Sequence, residues 1–145
     1  MNISARIENS FGSHSVVLAT NGREHALTIS PKPDAPGSRV NGGELLFLAL
    51  ATCYCNDLYR EARKRNIEIK SVCVEVTGEF GEEGEGARNI RYRAMVDSST
   101  SRENILELMR HTDTVAEIQN TLRVSNRIEL ADCEIRDLSQ PGSQA

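Results

Sequence analysis

Asn41-Gly42-Gly43-Glu44-Leu45-Leu46-Phe47-Leu48-Ala49-Leu50-Ala51-Thr52-Cys53 is the stretch whose reading decides the fold. Asn41 has the short polar side chain of a helix N-cap. Leu45 to Ala51 then follow without a polar residue. A surface helix would show a polar stripe at the helical period, and this stretch has none. It therefore predicts a helix buried all round, at the centre of the fold or in a subunit interface. The second half, Asp57 to Arg65, turns polar and closes on Arg63-Lys64-Arg65, cations that suit the negative end of the helix dipole. The expected helix runs from a dry start to a wet end, with Cys53 at the crossover.

Upstream, residues 2 to 30 read as strands. Val16 and Leu18 precede Asn21-Gly22, and Ala26, Leu27 and Ile29 follow it. Asn-Gly suits a type I′ hairpin, whose two central residues both need positive φ. Pro31, Pro33, Pro36 and Gly37 make residues 31 to 41 a loop. Downstream, Val72, Val74 and Val76 alternate with polar residues, and Ile90, Tyr92, Ala94 and Val96 do the same, giving two half-buried strands. The acidic turn Gly81 to Gly86 between them reads as a solvated hairpin tip, since its carboxylates would repel a phosphate.

Thr100 to Glu103 and Thr114 to Glu117 read as capping boxes of two short helices, with the break near His111 to Asp113. A last strand is expected over Val124 to Ile135. The order is three strands, long helix, two strands, two helices, strand. That is an α+β fold with a mainly antiparallel sheet packed on a buried helix. Residues 1–138 form the expected single domain, and residues 139–145 a frayed tail.

The 145 residues are 39% apolar and 26% charged, a composition that folds. With 17 basic and 21 acidic residues the net charge is −4, which argues against a nucleic-acid or anionic-membrane partner. The longest apolar run, Leu45 to Ala51, falls far short of the roughly 20 residues of a membrane span. The start, Met1 to Arg6, has neither the basic nor the apolar segment of a secretory signal, so a cytoplasmic location is expected. There Cys53, Cys55, Cys73 and Cys133 are expected to be reduced. No C-x-x-C occurs and His14, His25 and His111 are scattered, so neither a metal nor a cofactor is expected.

Cys53 is the candidate for chemistry. On a helix, Asp57 and Arg60 share its face, four and seven positions on. Asp57 opposes ionisation of the thiol. Arg60 either favours the thiolate or simply pairs with Asp57. Cys55 lies about 200° further around the helix and faces away. Cys73 and Cys133 read as bystanders.

Glu44-Leu45-Leu46-Phe47-Leu48-Ala49-Leu50-Ala51-Thr52-Cys53 resembles the central-helix motif E-L-L-x-x-A-L-x-x-C of the OsmC/Ohr family. Thr20-Asn21-Gly22-Arg23-Glu24 is similar to that family's glycine-arginine turn, and Ile67-Glu68-Ile69 with the strand Ser71 to Phe80 continues the likeness. The resemblance implies an intertwined homodimer with its sites at the interface. It implies a thiol peroxidase acting on organic hydroperoxides, with Cys53 as the peroxidatic cysteine, Arg23 as the activating arginine and Glu44 as the glutamate of a broader OsmC-like branch. Read as an ordinary residue, Glu44 is a first-turn carboxylate stabilised by the dipole, and Arg23 a solvated turn residue. Where the family carries a resolving cysteine in C-P-x-S, this chain has Ala116-Glu117-Ile118-Gln119, so an external thiol reductant is implied. The rival reading is a non-catalytic OsmC-like protein that binds a small apolar ligand at the dimer interface, with Cys53 only lining the pocket.

Overall fold

The computed structural model describes residues 1–124 and 126–135. Its elements are β1 (Ile3–Ser10), β2 (Ser13–Thr20), β3 (Arg23–Ala26), α1 (Gly42–Lys64), β4 (Ser71–Phe80), β5 (Ala87–Asp97), α2 (Arg102–Val115) and α3 (Glu117–Arg123). The fold is α+β, with antiparallel sheets and a long central helix.

The strands fall into two sheets, one of order β1-β2-β3 and one of β4-β5. In the first, Thr20 pairs with Arg23 across the Asn21-Gly22 turn. Both turn residues adopt positive φ, 49° and 78°, as the type I′ turn requires. This sheet makes at most marginal contact with the other elements.

The helix α1 starts where the sequence places it. Asn41 Oδ1 accepts the Glu44 N–H at 2.9 Å, and Glu44 Oε2 accepts the Asn41 N–H at 2.8 Å. This reciprocal capping box satisfies two amides that have no intrahelical partner. The alternation of the next two strands sets their register, with Val72, Val74 and Val76 opposite Val96, Ala94 and Tyr92. One face of this hairpin then lies against the second half of α1 and against α2. Tyr54, Leu58, Ala62, Leu108 and Ala116 form the core, with Val72, Val74, Tyr92, Ala94 and Val96 packed on it. The register slips between Thr77 and Glu79. A Cβ on the intervening Gly78 would lie 2.7 Å from Phe47 Cζ, so glycine is what lets α1 come this close.

Four sequence expectations change. The first is a helix buried all round at the centre of the fold, which one chain does not provide, so that burial in a subunit interface is the alternative that stays open. Within this chain Leu48 is 56% exposed, Ala49 is exposed, and Leu45, Leu46 and Phe47 are half-buried. α2 and α3 cover the second half of α1, and β4 covers only one side of its start. The second is the break between the short helices, which falls at Ala116 and not at His111 to Asp113. Here α2 runs on through His111 to Asp113, with Thr112 fully buried and its hydroxyl satisfied by the Leu108 carbonyl at 2.8 Å.

The third concerns the capping boxes. The N-cap of α2 is Ser101, which accepts from the N–H of Asn104, one residue later than the Thr100 to Glu103 box would place it. Thr114 lies inside α2 and donates to the His111 carbonyl, and α3 begins at Glu117 with Ala116 as an N-cap that offers no side-chain bond. The fourth is the last strand, Val124 to Ile135. Residues 126–135 carry no regular structure, and Ile128, Leu130 and Ile135 are 95%, 85% and 94% exposed. Alternating side chains hold a strand only where a sheet edge pairs with it, and among the described residues no edge does so here. The tail expected at residues 139–145 lies outside the described residues, as do 136–138 of the expected domain.

Candidate functional site

Cys53 lies near the middle of α1, half-buried, where that helix meets the start of α3. Its thiol points toward Asp57 Oδ2 at 3.4 Å, one turn on, and toward Glu117 Oε2 at 3.9 Å, on α3. The backbone N–H of Ile118 also points at the sulfur. Arg60, a further turn along α1, donates to Glu117 Oε1 at 3.1 Å and to Glu61 Oε1 at 3.1 Å, and forms an ion pair with Asp57 Oδ1 at 2.7 Å. So the face read from the sequence, Cys53-Asp57-Arg60, does form. Of the two roles open to Arg60, it takes the pairing one. α3 is held against α1 by Gln119, whose Nε2 donates to the Leu50 carbonyl at 3.0 Å.

The electrostatics keep the thiol protonated. Burial pushes the Cys53 thiol up, the Ile118 amide pulls it down, and the Asp57 and Glu117 carboxylates push it up again. Asp57, 4% exposed, is itself raised, first by its own burial and then by the Glu117 carboxylate beside it. Glu117 is lowered, chiefly by a hydrogen bond to its own backbone N–H, with Asp57 and Arg60 adding to this. Next along α1, buried Glu61 is pulled down to about 2 by Lys64 and Arg60. Cys53, Asp57 and Glu117 bring a sulfur and two carboxylate oxygens within 4.8 Å of one another, a donor set able to meet a cation. In this chain that positive charge is the Arg60 guanidinium.

The other two candidates stand elsewhere. Arg23 is exposed on β3, in the sheet that barely touches α1, and among the described residues its side chain makes no ion pair or hydrogen bond. Glu44 is exposed and spends its carboxylate on the Asn41 N–H. The structure thus brings neither to Cys53 within one chain. Cys55 is half-buried, and Cys73 and Cys133 are exposed free thiols. Glu117 and Gln119 are additions from the structure. They occupy the segment that aligns with C-P-x-S, which was the one signal that this stretch meets Cys53.

No curated protein matches the sequence. Among solved structures the chain is similar to an OsmC-like protein from Mycoplasma pneumoniae, at 22% identity and a TM-score of 0.61, covering 84% of this chain and 86% of that one. It is similar to an organic hydroperoxide resistance protein from Elizabethkingia anophelis, at 18% identity and TM-score 0.57, covering 85% and 89%. A third, an organic hydroperoxide resistance protein OsmC from Legionella pneumophila, has 17% identity and TM-score 0.56, covering 85% and 90%. At these identities the likeness is one of fold. The sequence model of the OsmC-like protein family matches residues 35–131, which span α1 through α3 and so include the whole Cys53 cluster, and the chain belongs to that family.

Proposed function

We propose that this chain reduces organic hydroperoxides through a single reacting cysteine, Cys53. The observation that carries this reading is the Cys53 thiol, half-buried, hydrogen-bonded to the buried Asp57 carboxyl at 3.4 Å and served by the Ile118 N–H. The hydroperoxide resistance names of several fold neighbours support it. In the proposed step Sγ attacks the terminal peroxide oxygen. The S–O bond forms and the O–O bond breaks. The thiol proton passes to Asp57, and the leaving alkoxide takes up a proton to become the alcohol, so that Cys–SH and ROOH give Cys–SOH and ROH. One external thiol then displaces water from the sulfenic acid, and a second releases Cys53 and a disulfide. A reducing cytoplasm would supply such thiols.

The proposed functional unit is a homodimer. The exposed apolar start of α1 and the exposed Ile128 and Leu130 are surfaces that a second copy would cover. In it, Arg23 of the partner subunit would approach Cys53, while Glu44 holds the start of α1.

The second reading, a non-catalytic OsmC-like protein that binds a small apolar ligand, is favoured by the raised Cys53 thiol and its two carboxylate neighbours. Mass spectrometry with a sulfenic-acid trap after tert-butyl hydroperoxide separates the two. The peroxidase reading expects stoichiometric trapping at Cys53, none in Cys53→Ser, and slower trapping in Asp57→Asn. Absence of oxidation at millimolar peroxide would leave the binding reading.

A further inference from the structure

We propose that Gln119 is the positioning residue of the Cys53 site: through the Leu50 carbonyl it seats the first turn of α3 so that the Ile118 N–H meets Sγ. The proposal deepens the peroxide reading and rests on it only for what the sulfur then attacks. Among the described residues two polar ties join α3 to α1, and they straddle the sulfur. Gln119 Nε2 donates to the carbonyl of Leu50, before Cys53, at 3.0 Å. Glu117 Oε1 accepts from Arg60, after Cys53, at 3.1 Å. Ile118 lies between the two anchors, and its N–H, a first-turn amide with no partner inside its own helix, points at Sγ. The ties are unequal. The Glu117 and Arg60 side chains are 65% and 39% exposed, so water and salt screen that pair. Gln119 is 3% exposed, and a bond sheltered from water is the firmer one.

Packing alone does not call for a glutamine here. Its orientation is fixed, because a flipped amide would set two oxygens against each other at Leu50. Oε1 is then buried without a partner among the described residues, which is unfavourable. The Leu50 carbonyl lies inside α1, where the helix itself supplies a donor from Tyr54, so it does not need a second one. A methionine of the same length would fill the space without the stranded oxygen. What the amide adds is direction, a bond that sets where α3 stands along α1. That setting matters for the thiol. Asp57 on α1 and Glu117 on α3 are the carboxyls that face it, and Arg60 is spent on both. Burial pushes the thiol up, the Ile118 amide pulls it down, and Asp57 and Glu117 push it up again. Of these, the amide is the group that favours the sulfur anion, the form that attacks a peroxide.

Gln119→Met keeps the length of the side chain and removes the bond. Its denaturant midpoint should equal or exceed that of the wild type. Iodoacetamide alkylation of Cys53, followed by mass spectrometry on the full chain, should move its pH profile upward. At neutral pH it should run roughly three- to tenfold more slowly, the worth of one hydrogen bond. The limiting rate, once the thiol is fully ionised, should be the same. A merely structural role gives the opposite pair of results, a lower midpoint and, as α3 loosens, faster alkylation. That pair, or an unmoved pH profile, would overturn the proposal. Amide NMR of the unaltered chain tests the contact without a variant. The Ile118 signal should follow the ionisation of Cys53, and a stationary signal would overturn the proposal as well. Iodoacetamide involves no peroxide. A profile that shifts as expected, in a chain that hydroperoxide does not oxidise, therefore supports the positioning role and sinks the peroxide reading alone.

Discussion

The two halves of α1 invert the usual relation between hydropathy and burial. The apolar start leaves Leu48 56% exposed, while the polar half encloses Asp57 and Glu61, each 4% exposed. What packs against a helix decides its burial, and the core built with α2 and the β4–β5 hairpin takes Tyr54, Leu58 and Ala62 from α1, all in its second half, while the start meets the end of β4 and Gln119. A buried carboxylate persists only with compensation. Glu61 accepts from Arg60 at 3.1 Å and from Lys64 at 2.7 Å, and Asp57 pairs with Arg60 at 2.7 Å. The open apolar half has no such answer within the chain. The lesson is that within this chain the polar half is closed off and the apolar half is left open.

Leu58→Ala should have the largest effect, because Leu58 has no exposed surface and its loss leaves a cavity. Denaturant unfolding should record a loss of ~2–5 kcal/mol. Leu48→Asp, in the open half, should leave the folded core in place and lower the solution mass to that of one chain. A mass equal to the wild type's would remove the idea that the start of α1 is a subunit interface.

Arg60→Ala comes next. It strands buried Asp57 and Glu61, although Arg60 is itself partly open to solvent and so the pair is partly screened. Unfolding should record a loss of ~1–3 kcal/mol, short of the cost of breaking a wholly buried pair. Full stability in this variant would show that the enclosed carboxyls do not depend on their cation.

Acid sharpens the same contrast. Glu61 sits at about 2 in the folded chain, below its ordinary 4.5. Its contribution is therefore complete above about 4.5 and is lost as pH falls toward 2, since the unfolded chain takes up the proton first. Asp57, raised by burial, works the other way and favours the folded chain while it is protonated. A melting-temperature profile of Glu61→Gln should be flatter than the wild type's between pH 5 and pH 2. An unchanged acid limb would mean that other carboxylates govern it.

The smallest expected effect is on the thiol. Alkylation of Cys53 with iodoacetamide should have a midpoint above that of a free cysteine, and Asp57→Asn should move it down by removing a facing negative charge. The same variant is expected to react more slowly with hydroperoxide. The two readouts together distinguish a carboxyl that moves the proton from one that only suppresses the thiolate.

The features legible in the sequence are those set by near neighbours along the chain. Asn21-Gly22 specifies its turn because both residues accept positive φ, and Asn41 with Glu44 specifies the helix start through two bonds three residues apart. The valine alternation sets the β4–β5 register, and helical spacing alone puts Cys53, Asp57 and Arg60 on one face. Glu117 and Gln119 reach Cys53 and Leu50 from 64 and 69 residues away, and no local period encodes such a meeting. The same holds for the burial of Glu61, the exposure of Leu48 and the unpaired segment 126–135. Local chemistry thus determined the Asn-Gly turn, the cap of α1, the β4–β5 alternation and the face that carries the thiol. Tertiary packing alone decided which half of α1 is closed off and which charges surround the sulfur, because both depend on surfaces brought together from distant parts of the chain.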